Sequence, residues 1–332
     1  LMLFLHNRPS IRVTIPGGSG QVGRLLASYF HAQGDDVTVI ARNPTTAPWR
    51  SLIWDGRTLG AWTEAIDGAN VIINLAGRSV NCRYNSDNRR IIKESRTETT
   101  RLVGQAIAAA KQPPTLWMNA STATIYRHAF DRPMDEATGE LGGAEPDVPD
   151  TWRFSIDVAK SWEEAFFKSS TSRTRKIALR SAIVMSPSRG GAFDILLGLV
   201  RRGLGGASGD GKQFVSWIHD EDFVRAVEFL IGREQTQGVV NVSSPNPLPN
   251  REFMRALREA WGTRIGIPAT AWILELGAFV AGSETELILK SRRVIPGYLM
   301  DAGFKFRFPR WAEAAVDLVR RWQAASEGLL VP

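Results

Sequence analysis

The chain has 332 residues, 43% hydrophobic and 23% charged, a composition ordinary for a soluble globular protein with a sizeable core, either one large α/β domain or a core domain with a smaller lobe. Its one cysteine, Cys82, rules out a disulfide framework within the chain and fits a reducing, cytoplasmic setting. The net charge of +7 is scattered, with short pairs such as Arg89-Arg90, Arg201-Arg202 and Arg292-Arg293, and without zinc-ligand spacing, so a phosphate-rich ligand explains it better than nucleic acid does.

Residues 1–10 are apolar only at the start, too short for a signal h-region or a membrane span, and read as a frayed extension. Ile11 to Ile15 then alternate apolar and polar residues and are mostly β-branched, which predicts a strand. Gly17, Gly18, Ser19, Gly20, Gln21, Val22 and Gly23 follow, with Gly17, Gly20 and Gly23 at G-x-x-G-x-x-G spacing. From Gln21 to Gln33 the apolar residues recur at helical intervals. Strand, glycine turn and helix together let backbone N–H groups approach a pyrophosphate and aim a helix N-terminus at it.

Gly34 stops the helix, and Asp36 to Ala41 reads as the second strand. Where an NAD site offers a carboxylate to the adenosine ribose, this chain has Arg42 and then Asn43. A guanidinium suits the 2′-phosphate of NADP, so the expected cofactor is NADP. Ser51 to Trp54 reads as a short third strand, ended by Asp55-Gly56. The Asp55 carboxylate either accepts the adenine amino group or caps the turn.

A helix over 59–66 leads to the apolar run Val71 to Leu75, suited to a buried parallel strand. Leu75, Ala76 and Gly77 follow Asn74 with small residues where a cofactor backbone would pass. A long helix spans about 85–110, and Pro113-Pro114 breaks it. Leu116 to Ser121 is the next strand, and Thr122 to Tyr126 continues from it. Residues 127–151 read as a loop and 152–167 as a helix. Lys176 to Met185 gives another strand and its exit. Strand and helix alternate up to here, so the fold class is α/β with a doubly wound parallel sheet. Beyond Pro187 glycines cluster and elements mix. The expected organisation is a cofactor domain over 11–187 and mainly a substrate lobe over 188–332, with 238–243 returning to the sheet.

These residues resemble the extended short-chain dehydrogenase/reductase superfamily. The resemblance is strongest in the branch called epimerase family, or nucleoside-diphosphate-sugar epimerase-like. It is carried by the turn ending at Gly23, by Trp54-Asp-Gly-Arg57, Asn74-Leu-Ala-Gly77, Gly203-Leu-Gly-Gly206 and Trp217-Ile-His219, and by Ala302-Gly-Phe-Lys-Phe306. It implies a Rossmann core, a small C-terminal α+β substrate lobe and NADP. Superfamily chemistry uses Ser or Thr, Tyr and Lys, the tyrosine moving a proton as hydride moves to or from the nicotinamide.

On this chain the resemblance puts Thr122 at the place of the catalytic serine and Lys160 at the lysine of the Y-x-x-x-K motif. Ile156 stands at its tyrosine, and isoleucine cannot transfer a proton. Tyr126 and Tyr84 are the candidate replacements. Pro187 matches a residue whose backbone meets the nicotinamide amide. His219 either contacts substrate or is a satisfied structural histidine, and Arg83 is a candidate for an anionic substrate. No metal ligands are expected. The resulting expectation is an oxidoreductase, or an epimerase working through transient oxidation. Its substrate would be a small molecule such as a nucleotide sugar or another carbonyl compound, with neither nucleic acid nor membrane as partner. The alternative is a non-catalytic NADP-binding or redox-sensing protein on the same scaffold.

Overall fold

The computed structural model describes residues 9–43, 46–268 and 289–327. Most of the expected N-terminal extension lies outside them. Seven strands form one parallel sheet: β1 (Arg12–Pro16), β2 (Asp36–Ala41), β3 (Arg50–Ile53), β4 (Val71–Asn74), β5 (Leu116–Thr122), β6 (Arg175–Ser181) and β10 (Gly238–Val242). Their spatial order is β10-β6-β5-β4-β1-β2-β3, so the winding direction reverses between β1 and β4. Ligands of open α/β sheets collect at that reversal, beyond the carboxyl ends of the strands.

Alternation along each strand divides the core in two. Val71 and Ile73, Leu116 and Met118, and Ile177 and Leu179 face a layer made by helices α1 (Gln21–Ala32) and α5 (Asp220–Ile231), which contribute Leu26, Phe30, Phe223 and Val227. Ile72, Trp117 and Ala178 face the opposite layer, where α2 (Ser86–Ala109) and α3 (Asp150–Lys168) supply Val103, Ile107 and Phe166. Burying each such side chain stabilises the fold by about 1.5–3 kcal/mol. Both faces of the central strands are covered, which is why Val71 to Ile73 of β4 are all apolar.

Two local expectations give way to turn chemistry. The helix expected over 59–66 is a single 3₁₀ turn, Ala61–Ala65. The strand stops at Thr122, whose Oγ1 accepts from the Thr124 amide at 3.1 Å and starts a 3₁₀ turn, Ala123–Ile125.

After β6 the chain builds a smaller α/β region around a separate core. The short strand β7 (Ile183–Met185) pairs in parallel with β9 (Trp217–His219), and β8 (Phe214–Val215) pairs antiparallel with β11 (Leu248–Pro249). Helices α4 (Ala192–Arg201), α6 (Asn250–Trp261) and α8 (Trp311–Ser326) close on Trp217, Phe253 and Trp311, with the short α7 (Gly297–Asp301) before α8. Phe253 stacks on Trp311 at 3.9 Å between ring centres. Among the described residues no helix is long and apolar enough to cross a membrane.

Candidate functional site

The three spaced glycines after β1 do three different jobs. Gly17 has φ +76°, and a Cβ there would lie 2.5 Å from the Ala76 amide nitrogen, so the turn and the exit of β4 touch backbone to backbone. Gly23 lets α1 press on the turn, since its Cβ would lie 2.4 Å from Gly18 Cα. Gly20 is open: a Cβ there meets nothing nearer than the Gly17 carbonyl at 3.9 Å. It is also the N-cap of α1, a helix with no side-chain cap and no acid in its first turn.

Uncovered helix amides next to open space fit the pyrophosphate of a dinucleotide. Nearby, the Gln21 side-chain nitrogen Nε2 is buried without a hydrogen-bond partner among the described residues and lies against Gly191. Ser19 and Val22 are half-buried on the same turn. The residues present therefore fit such a cofactor. Gly18 has a packing role instead, its Cβ position being 2.8 Å from the Ile15 carbonyl.

At the end of β2, Arg42 and Asn43 are exposed, and Arg42 forms no ion pair among the described residues. Asp55 caps its own turn: Oδ1 accepts from the amides of Arg57 and Thr58 at 2.8 and 2.9 Å, and Oδ2 accepts from the Thr58 hydroxyl. Those bonds, with the Arg57 amide first, hold its carboxyl below the usual range. At the exit of β4, Leu75 donates to the Pro16 carbonyl at 2.8 Å and Ala76 to Asn74 Oδ1, which fixes the Leu75–Gly77 backbone beside the glycine turn.

The end of β5 separates two hydroxyls. Ser121 Oγ donates to Glu163 inside the α3 layer at 2.6 Å. Thr122 is half-buried, and its O–H has no acceptor among the described residues. Tyr126 lies in the interior with 2% of its surface exposed. Its hydroxyl accepts from Arg180 Nη1 at 3.0 Å and donates to Asn241 Oδ1 at 2.9 Å. Arg180 grips Glu163 with two nitrogens, Nε and Nη2, at 2.8 and 2.7 Å. Burial pushes the Tyr126 pKa up, although Arg180 opposes the shift.

Ile156 is buried beneath Gly142 and Gly143, and Lys160 Nζ donates to the Gly142 carbonyl at 2.6 Å. The structure thus brings Lys160 and Ile156 together under one loop and sends Tyr126 into a sealed network.

The remaining candidates are dispersed. His219 is fully buried: Nδ1 accepts from the Glu221 amide at 3.2 Å, Nε2 meets Asp317 at 3.2 Å, and the ring stacks on Phe308. It joins α8 to the start of α5 rather than facing open space, and burial lowers its pKa. Arg83 is exposed in the loop before α2, and Pro187 is half-buried just past β7.

Two features were not singled out from the sequence. Arg180 interrupts the apolar run Ile177 to Val184, a signal that a buried cation needs a partner, and Glu163 is that partner. Arg96 on α2 lies against Gly77 and carried no signal, because exposed-face arginines are common on helices.

A parallel sheet of this order, with an open glycine between β1 and an uncapped helix, defines a Rossmann-type α/β protein. The family model described as "NAD dependent epimerase/dehydratase family" matches residues 13–149, and a domain of unknown function, DUF1731, matches 269–318. Epimerase family protein SDR39U1 of Bos taurus is 30% identical over 313 residues, 93% of this chain and 100% of that protein. The crystal structure of human epimerase family protein SDR39U1 (isoform 2) with NADPH superposes with a TM-score of 0.79 at 28% identity, covering 93% of this chain and 99% of the other. The nucleoside-diphosphate sugar epimerase of Corynebacterium glutamicum superposes with a TM-score of 0.72 at 26% identity, covering 98% of this chain and 63% of that one. The chain belongs to the NAD-dependent epimerase/dehydratase family, in its epimerase branch.

Proposed function

We propose that the protein binds NADP(H) and acts as an oxidoreductase, or as an epimerase through transient oxidation, on a small hydroxyl or carbonyl compound such as a nucleotide sugar. The observation that carries the reading is Gly20, where open space meets the uncapped N-terminus of α1. The exposed Arg42 at the end of β2, with no acid beside it, supports NADP over NAD. So does the NADPH in the human relative.

Gly17 to Gly23 would hold the pyrophosphate, Arg42 and Asn43 the adenosine end, and Leu75 to Gly77 the backbone between. Pro187 would lie at the nicotinamide end. When bound, the nicotinamide supplies or takes a hydride. Thr122 would donate its O–H to the substrate oxygen, orienting the carbon that gains or loses that hydride.

The sealed hydroxyl of Tyr126 supports a structural role for it, and Ile156 cannot ionise, so the proton would pass through water. Lys160 would hold the Gly142 loop, and His219 would join α8 to α5, while Arg83 would stay at the rim for an anionic substrate. The separate core around Trp217 and Trp311 supports treating most of the chain beyond Pro187 as a substrate lobe, on the cofactor domain of 11–187. The single cysteine supports a cytoplasmic setting.

A specific observation favours one rival, a cofactor-binding protein without turnover: the tyrosine position holds a buried isoleucine. Loss of NADPH absorbance against a panel of carbonyl compounds separates the two. Turnover that Thr122→Val lowers at least tenfold supports the enzyme, whereas tight NADPH binding with no turnover on any compound supports the rival.

A further inference from the structure

His128 lies just past the Thr122 turn, and its ring is fixed by its neighbours. Nδ1 accepts from the Ser291 amide at 2.9 Å. Phe130 meets the ring edge to face at 4.8 Å between centres, and Trp152 lies 5.0 Å away. Ala129 is tied to Ser291 as well, its carbonyl accepting from Ser291 Oγ at 2.6 Å.

Trp152, Ile156 and Lys160 recur at helical spacing and share one face of α3. α3 connects the parallel strands β5 and β6, so its first turns stand at the carboxyl edge of the sheet, where ligands of such sheets collect. Packing on Trp152 therefore sets His128 a helical turn nearer that edge than Ile156.

A ring nitrogen that accepts from an amide carries no proton, so neutral His128 has its proton on Nε2. Burial holds the ring below the ordinary histidine pKa; Lys290, Arg292 and Arg127 act in the same direction, and Glu145 opposes them. Nε2 has no hydrogen-bond partner among the described residues and keeps contact with solvent. His219, by contrast, is sealed with both nitrogens engaged. His128 ties two segments together with one nitrogen and holds out an N–H with the other.

Beside it, Phe130 keeps 47% of its surface exposed. An N–H donor next to an open aromatic ring suits a hydroxylated ring, whose oxygens accept and whose C–H face packs on the aromatic. We infer that His128 binds substrate: its Nε2–H donates to an oxygen of a hydroxylated ring, such as a sugar's, that rests on Phe130. This role rests on the proposed enzyme reading, in which Thr122 holds the reacting oxygen; His128 takes a different one. It is a binding role rather than an acid's, because a ring whose Nδ1 is committed to Ser291 loses its Nε2 proton only as an imidazolate.

The test uses the full chain with two substitutions that separate the two nitrogens. His128→Asn keeps an acceptor near the Nδ1 position for Ser291 and loses the outer N–H. His128→Gln carries an N–H toward the Nε2 position and loses that acceptor. Each protein is melted, its kcat and KM are measured with NADPH on a panel of carbonyl compounds, and UDP-glucose is titrated by calorimetry into the NADP⁺-saturated form. If His128 binds substrate, His128→Asn melts as the wild type does while its KM, or its Kd for UDP-glucose, rises about tenfold with kcat less affected. His128→Gln then melts lower and keeps an affinity nearer the wild type's. Should His128→Asn also melt lower, tighter binding by His128→Gln than by His128→Asn upholds the role, and equal binding overturns it. If His128 only ties Ser291, His128→Asn matches the wild type in KM and Kd, and the role is overturned. A wild type that binds NADPH but turns over none of the panel refutes the enzyme reading alone. UDP-glucose then decides: weaker binding by His128→Asn upholds the role, and equal binding, or none by the wild type, overturns it.

Discussion

Gly142 lies directly over Ile156: a Cβ on Gly142 would come within 2.8 Å of Ile156 Cδ1. The Gly142 amide donates to the Ile125 carbonyl at 2.9 Å, and its own carbonyl accepts from Lys160 at 2.6 Å. The place that the resemblance assigns to the superfamily's tyrosine is roofed by a loop held from both sides. A phenol ring does not fit beneath it. Ile156→Tyr is therefore expected to destabilise the fold by about 1–3 kcal/mol, the cost of overpacking, and to bring no gain in NADPH consumption. Thermal melts and an absorbance assay check this, and a stable variant with faster turnover would contradict it.

Tyr126→Phe keeps the ring and removes a hydroxyl that serves Arg180 and Asn241. The buried Asn241 oxygen loses its donor, so the fold should lose about 1–3 kcal/mol. Any turnover should change less than about tenfold. A fall of about 10²–10⁴ in kcat with unchanged stability would instead mark Tyr126 as the proton donor.

The glycines separate folding from binding. Gly17→Ala puts a Cβ against the Ala76 backbone at positive φ and should cost about 1–3 kcal/mol or more. Gly20→Val occupies open space and should leave the melting midpoint of the free protein nearly unchanged. Saturating NADP⁺ should raise the midpoint of the wild type and not that of Gly20→Val. An equal rise in both would remove Gly20 from the binding role.

His219 gives stability a pH dependence of known sign. Its pKa in the fold is lowered by burial, so the unfolded chain binds the proton more readily. Its contribution is full above about pH 6.5, the unfolded value, and is lost as pH falls through the lower folded value. Asp220, Glu221, Asp317 and Arg321 surround it, so the comparison must isolate one residue. Urea midpoints from pH 7.5 down to 5 should fall more steeply for wild type than for His219→Gln. Identical slopes would show that His219 stays out of this titration.

Much of the fold was legible because the sheet is buried on both faces. Runs such as Val71 to Asn74 and Asp36 to Ala41 read as strands from composition alone, and the glycine turn placed α1. The misreadings lie where side chains compete with the ladder. Thr122 turns the chain by accepting from Thr124, and a strand pattern does not show that bond. The proposed site was legible at its glycine turn, where the spacing is local. It was not legible for Tyr126, whose partners Arg180 and Asn241 lie 54 and 115 positions away in sequence.

The central claim is that this glycine turn and Arg42 bind NADP(H). Calorimetric titration of wild type and Arg42→Ala with NADP⁺ and with NAD⁺ tests it most directly. NADP⁺ should bind wild type more tightly than NAD⁺ does. Arg42→Ala should lose about 1.5–3 kcal/mol on NADP⁺, the worth of hydrogen bonds to a charged group, and stay unchanged on NAD⁺. Equal affinities in the wild type, a preference for NAD⁺, or an Arg42→Ala variant that binds NADP⁺ as the wild type does would contradict the claim.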